Sequence, residues 1–140
     1  MTSRHGDWLL IAIASLAFDQ IGTGEPPAIV YTGTELRALT VDTTHVYFGD
    51  GPNIRRARKD GQDQGIETLA TDQGAIWDIA VDWTHVYWTA ETNGELARVQ
   101  LTGGEVEVLA ETSTPWGLDL GCTAAFWAEN GTQSLRMVLK

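Results

Sequence analysis

The phrase VDTTHVYFGD, residues 41–50, returns as VDWTHVYWTA at 81–90, with six of ten letters identical at a spacing of 40 residues. Self-similarity at a period of roughly 20–50 residues marks a chain that builds one small unit several times and buries each unit against the next. The match extends outward, with LRALTVD (36–42) beneath IWDIAVD (76–82) and GIETLATD (65–72) beneath EVEVLAET (105–112). A weaker third copy, PWGLDLGCTAAFWAEN (115–130), follows at a spacing of 39 and sets Trp116 under Trp77 and Phe126-Trp127 under Tyr87-Trp88.

Within a unit the patterning is that of strands. IWDIAV and HVYWTA are rich in β-branched and aromatic residues. Thr92-Asn93-Gly94 and Thr102-Gly103-Gly104 read as turns, and VEVLA closes the unit. Four strands of about six residues fill such a repeat and leave no room for a helix. That is the size of one antiparallel propeller blade. The expected fold is all-β: a partial β-propeller of about three four-stranded antiparallel blades near 36–71, 76–112 and 115–140, within a repeat region spanning 27–140.

VYFGD, VYWTA and AFWAE resemble degenerate copies of the YWTD signature of six-bladed propellers of the low-density-lipoprotein-receptor type. The frame IAVDWTHVYWTAETNGELARVQLTGG is similar to bacterial repeat proteins of that superfamily. The resemblance covers 28–140 and implies that Tyr47, Phe48, Tyr87, Trp88, Phe126 and Trp127 pack neighbouring blades. The Asp place of the signature holds Asp50, Ala90 and Glu129, a variation that predicts loosened packing.

Propellers close with about 4 to 8 blades, so three cannot make a ring. PAIVYTG (27–33) resembles the outermost strand that precedes each unit, which places an orphan strand near 28–32. SLRMVLK (134–140) reads as the third strand of a blade without a fourth. Two readings stand: a fragment of a longer chain, or a half-propeller whose homodimer completes six blades.

The formal net charge is -10 with a pI near 4.5. Such a surface repels phosphate backbones and anionic membranes, so no nucleic-acid role is expected; it reads first as a means of solubility, and otherwise favours a cationic partner or a metal. Cys122, the single cysteine, forms no intrachain disulfide and reads as a small buried side chain at a strand start. Residues 1–26 hold Arg4 and His5 before an apolar run from Trp8 to Phe18, too short to span a bilayer and of signal-peptide size. A signal peptide makes the protein secreted or periplasmic, and a packed segment leaves it cytoplasmic. No membrane span is expected in the mature domain.

Catalytic motifs are scarce: there is no G-x-S-x-G, H-E-x-x-H, phosphate loop or paired-Cys motif. KDGQDQG (59–65) lacks the ligand frame of a calcium loop, so no metal or cofactor is expected. His45 and His85 occupy one place in two units and are the candidate general bases, with Ala124 in the third. Asp42 and Asp82 end the first strand of their units, where a carboxylate accepts turn N–H groups. IRRARK (54–59) is expected to pair with acids on the next blade. Trp77, Trp83 and Trp116 are the candidates for a ligand-lined surface. The chain therefore reads as a non-enzymatic binding or interaction module for a protein or small molecule. The alternative is part of a propeller lyase or hydrolase, resembling streptogramin lyases, with His45 or His85 as base.

Overall fold

The computed structural model describes residues 29–60 and 65–140. The apolar segment 1–26 and the core of the 59–65 loop lie outside the described residues. Eleven strands and no helix are present among the described residues. Strands β1 (Leu36–Val41), β2 (His45–Asp50), β3 (Asn53–Arg58) and β4 (Glu67–Ala70) form a first antiparallel sheet in that order. Strands β5 (Ile76–Val81), β6 (His85–Ala90), β7 (Glu95–Gln100) and β8 (Glu107–Glu111) form a second. Strands β9 (Pro115–Leu120), β10 (Ala124–Glu129) and β11 (Ser134–Leu139) form a third, three-stranded sheet. β5 lies against β1 on one side and β9 on the other, so the first strand of each sheet is the innermost strand of a blade. The chain is a partial β-propeller.

Local chemistry sets the strand ends. Between β6 and β7 the chain reverses through Glu91–Gly94, where Gly94 has φ +65° and its N–H bonds to the Ala90 carbonyl. A Cβ there would meet the Thr112 carbonyl oxygen at 3.0 Å, so Gly94 also lets the next linker pass close. Gln133 takes the left-handed role in the β10–β11 hairpin, at φ 52°. Residues 29–33, part of the strand expected at 28–32, are irregular and unpaired as a strand within this chain. Cys122 lies exposed in the β9–β10 turn, not buried at a strand start, because the strand begins two residues later at Ala124.

Each blade has a front face toward the preceding blade and a rear face toward the next. Successive strand residues point to opposite faces, so the middle strands alternate between two cores. In β6, Val86, Trp88 and Ala90 point forward and pack with Tyr47, Ile54 and Leu69 of the first blade. Tyr87 points rearward and packs with Leu118, Ala125 and Trp127 of the third. Ile76, Trp88 and Leu96 are fully buried, each side chain contributing about 1.5–3 kcal/mol of apolar burial.

The Asp place of the signature is a clamp, not a loosened contact. Asp50 is buried and accepts bonds from the Tyr31 hydroxyl at 2.7 Å, the Thr34 N–H at 3.1 Å and the Glu35 N–H at 3.2 Å. Those donors, Tyr31 first, hold its carboxyl down at about 2 despite burial. Glu129 does the same in the third blade, accepting from the Ser113 N–H, Trp127 Nε1, the Thr132 hydroxyl and Arg136. In the second blade Ala90 has no carboxylate, and the Thr92 hydroxyl accepts the linker N–H of Ala75 instead. The β6–β7 turn brings Thr92 there, so this blade meets the linker N–H without a carboxylate at position 90.

One donor is left over by that exchange. Trp127 Nε1 donates to Glu129 at 3.4 Å, whereas the buried Trp88 Nε1 has no partner among the described residues. Trp127→Phe therefore loses both volume and a bond to a charged acceptor, and Trp88→Phe loses volume and an unpaired donor. Urea unfolding is expected to show Trp127→Phe more destabilised than Trp88→Phe, by about 1–2 kcal/mol.

Candidate functional site

The candidate bases sit in a turn that occurs twice. Asp42 Oδ1 accepts from the N–H groups of Thr44 and His45, both at 2.7 Å, and Oδ2 accepts from the Tyr47 hydroxyl at 2.8 Å. Asp82 repeats the pattern with Thr84, His85 and Tyr87 at 2.9, 2.9 and 3.0 Å. The threonine hydroxyl bridges the aspartate and the imidazole: Thr44 Oγ1 lies 2.8 Å from His45 Nδ1, and Thr84 Oγ1 lies 2.7 Å from His85 Nδ1. Each ring packs beside its own blade's tyrosine, with centroids 6.0 Å apart. Burial, then the nearby Arg56, pushes His45 below its ordinary value.

On the rear face the pattern continues into an arginine and an acid of the same blade. Arg98 Nε donates to Glu107 at 2.8 Å and its guanidinium lies over the Tyr87 ring at 5.9 Å. Arg56 Nε likewise donates to Glu67 at 2.8 Å. The basic run thus pairs with acids of its own blade. Across the junction Arg56 reaches the backbone carbonyl of Leu101 at 2.5 Å, because β7 ends there with that carbonyl free of the sheet ladder. Burial, then Asp42, pushes the Tyr47 phenol up to about 12, so it stays a donor. Lys140 crosses from the third blade to Asp82 at 2.9 Å and sits over the Tyr87 ring. Burial raises Asp82, but Lys140 and the turn N–H groups outweigh it and hold the carboxyl well below the usual range.

These side chains tie turns and junctions. The two histidines stand in separate blades, and the described residues bring no group of three metal-ligating side chains together. A tie that the sequence signalled only weakly is Asp78, whose Oδ2 accepts the Leu118 N–H of the next innermost strand at 2.7 Å. It stands at a register shift in β5, which turns an exposed-looking acid toward its neighbour.

The three tryptophans do not form one surface. Trp77 and Trp116 begin neighbouring innermost strands and stack with centroids 5.1 Å apart, tilted by 49°. Trp83 is 92% exposed in the turn after β5. It lies about 20 Å farther along the strand direction, on the opposite rim. Beside Trp116 opens a pocket of about 280 Å³ lined by Ala128, Glu129, Gln133 and Leu135 among others. The rim that carries the stacked pair also carries the exposed Glu35, Asp72, Glu91 and Glu111. Sequence pattern placed Trp77 and Trp116 in one register, whereas the acids joined them only when hairpin ends were assembled.

No protein-family model and no curated protein matches the chain. Among solved structures it is similar to the computationally designed protein Ika4, at 16% identity and a TM-score of 0.62, over 76% of this chain and 66% of that one. It is also similar to a chain of a nidogen/laminin complex, at 21% identity and a TM-score of 0.54, over 73% of this chain and 46% of that one. The chain thus spans 66% and 46% of the length of these structures. At such identities the likeness establishes a β-propeller-like fold.

Asp82→Asn tests the tie. A depressed carboxyl contributes stability that is present above its unfolded pKa of about 3.9 and is lost as pH falls below it. The unaltered protein is expected to lose stability below that pH more steeply than Asp82→Asn does, measured by urea unfolding at stepped pH. His85→Ala is expected to shift unfolding by less than about 1 kcal/mol, one neutral hydrogen bond.

Proposed function

We propose that the chain is a non-enzymatic interaction module built from YWTD-like propeller repeats, taking a cationic protein segment at the Trp77–Trp116 rim. The observation that carries this reading is the stacked indole pair on the same rim as four exposed acids. Indole faces attract lysine and arginine side chains, and a surrounding negative field raises the local concentration of a basic segment. The net charge of -10 acts in the same direction at longer range. The repeated Asp, Thr, His and Tyr are engaged in turn and junction bonds, which leaves the aromatic rim as the accessible recognition chemistry. Among the described residues the lyase or hydrolase alternative has no comparable grouping of side chains behind it.

A titration with an octa-arginine peptide, read by tryptophan fluorescence, tests the reading, with octa-glutamate as control. Saturable quenching that weakens with added salt is expected, because exposed charges are screened over about 10 Å at 0.1 M. Trp77→Ala combined with Trp116→Ala is expected to weaken binding about tenfold. An unchanged affinity in that double variant, or no saturable signal, overturns the assignment.

A further inference from the structure

Two blade faces lack the cover that equivalent residues have inside the stack. On the front of the first blade Leu39 is 66% exposed, while Ile79, in the same place on the second blade, is 4% exposed. On the rear of the third blade Leu135 is 78% exposed, while Leu96, its equivalent, is fully buried. Leu36 and Val41 extend the first patch, and Phe126, Met137 and Leu139 extend the second.

The rear of the third blade has also changed its chemistry. The first two blades carry Asp42 or Asp82, Tyr47 or Tyr87, and Arg56 or Arg98 on that face, and the third carries Gly121, Phe126 and Met137. A network of charges has been replaced as a set by apolar side chains, which is chemistry for burial. The remaining charges are complementary. Arg37 holds on the first blade the place that Trp77 and Trp116 hold on the next two, and among the described residues it pairs with exposed Glu35. Continued by one blade, the Trp77–Trp116 stack would set the Arg37 guanidinium on Trp116, near Asp119 on the rear face of β9.

The sheet edge agrees. β11 ends the third blade with no outer strand among the described residues. Ile29 and Val30 precede β1 by the interval at which the buried Leu69 and Ala70 of outer strand β4 stand in the next repeat, and both are exposed. A second copy of this chain has the surfaces to satisfy both faces and the edge together.

We infer that two copies dock head to tail, the front of each first blade on the rear of the other's third blade, to close a six-bladed ring. In that ring Leu135 packs on Leu39 and Val46, as Leu96 packs on Leu118 and Ala125, while Phe48 is already covered by Tyr31 of its own chain. Residues near 29–30 of each copy lie beside β11 of the other. The contact is head to tail and closes after two copies because three blades turn through half of a six-bladed ring. This inference rests on the blade faces and does not need the rim to bind a ligand, and Trp116 is the residue the two readings share.

Sedimentation equilibrium of the full chain is expected to give a particle of twice 15.3 kDa. Leu39→Asp and Leu135→Lys, both at exposed positions, are each expected to weaken association at least tenfold while leaving the far-ultraviolet circular dichroism unchanged. Mixing the two variants restores the double-mass particle, because one junction of the mixed pair is unaltered and the other opposes the two new charges. Trp83→Asp, on a rim away from both faces, leaves the mass unchanged. A particle of single-chain mass overturns the inference, as does a larger assembly. Sensitivity to only one of the two variants, or failure of the mixture to recover, overturns the head-to-tail geometry. Leu36→Asp with Met137→Lys repeats the exchange if either first variant loses its fold.

Discussion

Everything in this fold hangs on two adjacent side chains in the second strand of each blade that point in opposite directions. In a pleated strand Tyr87 and Trp88 cannot face the same neighbour, so one strand is bonded by burial to the blade before it and the blade after it. A blade exposed on both faces would have no core of its own. Stability in such an array resides in the junctions between units more than in the units.

Polar side chains then fix where the stack turns. Asp50 and Glu129 hold the linker into their own blades, and Asp42 and Asp82 hold the turn out of the innermost strand. Because each carboxylate receives several donors, its ionised form is favoured in spite of burial. The histidines that looked like candidate bases belong to this scheme, since their Nδ1 atoms lie within hydrogen-bond distance of the same threonine hydroxyl that donates to the aspartate. A repeated residue in a repeat protein is thus first a repeated constraint.

Legibility in the sequence followed the period of the signal. Blade count, strand order and the inward course of Trp88 and Trp127 could be read, because burial on two faces writes aromatic and β-branched residues at a fixed spacing. The clamp at Asp50, Ala90 and Glu129 could not. Three residue types looked like decay, whereas the linker N–H groups were met by the strand carboxylates Asp50 and Glu129 in two blades and by the turn hydroxyl of Thr92 in the other. Trp83 misled for the opposite reason. It shares the repeat frame with Trp77, but the strand between them carries it to the other rim.

The sequence by itself determined that this chain is all-β and is built of three repeated blades, because a two-residue period and a 40-residue repeat leave no other economical burial. Only the tertiary structure decided which polar side chains are engaged and which apolar ones are left uncovered. Hydrogen bonds such as Asp78 to Leu118 and Lys140 to Asp82 join residues 40 and 58 positions apart. Their partners are set by how blades stack and by local register shifts, and neither leaves a mark on the spacing of residues along one strand.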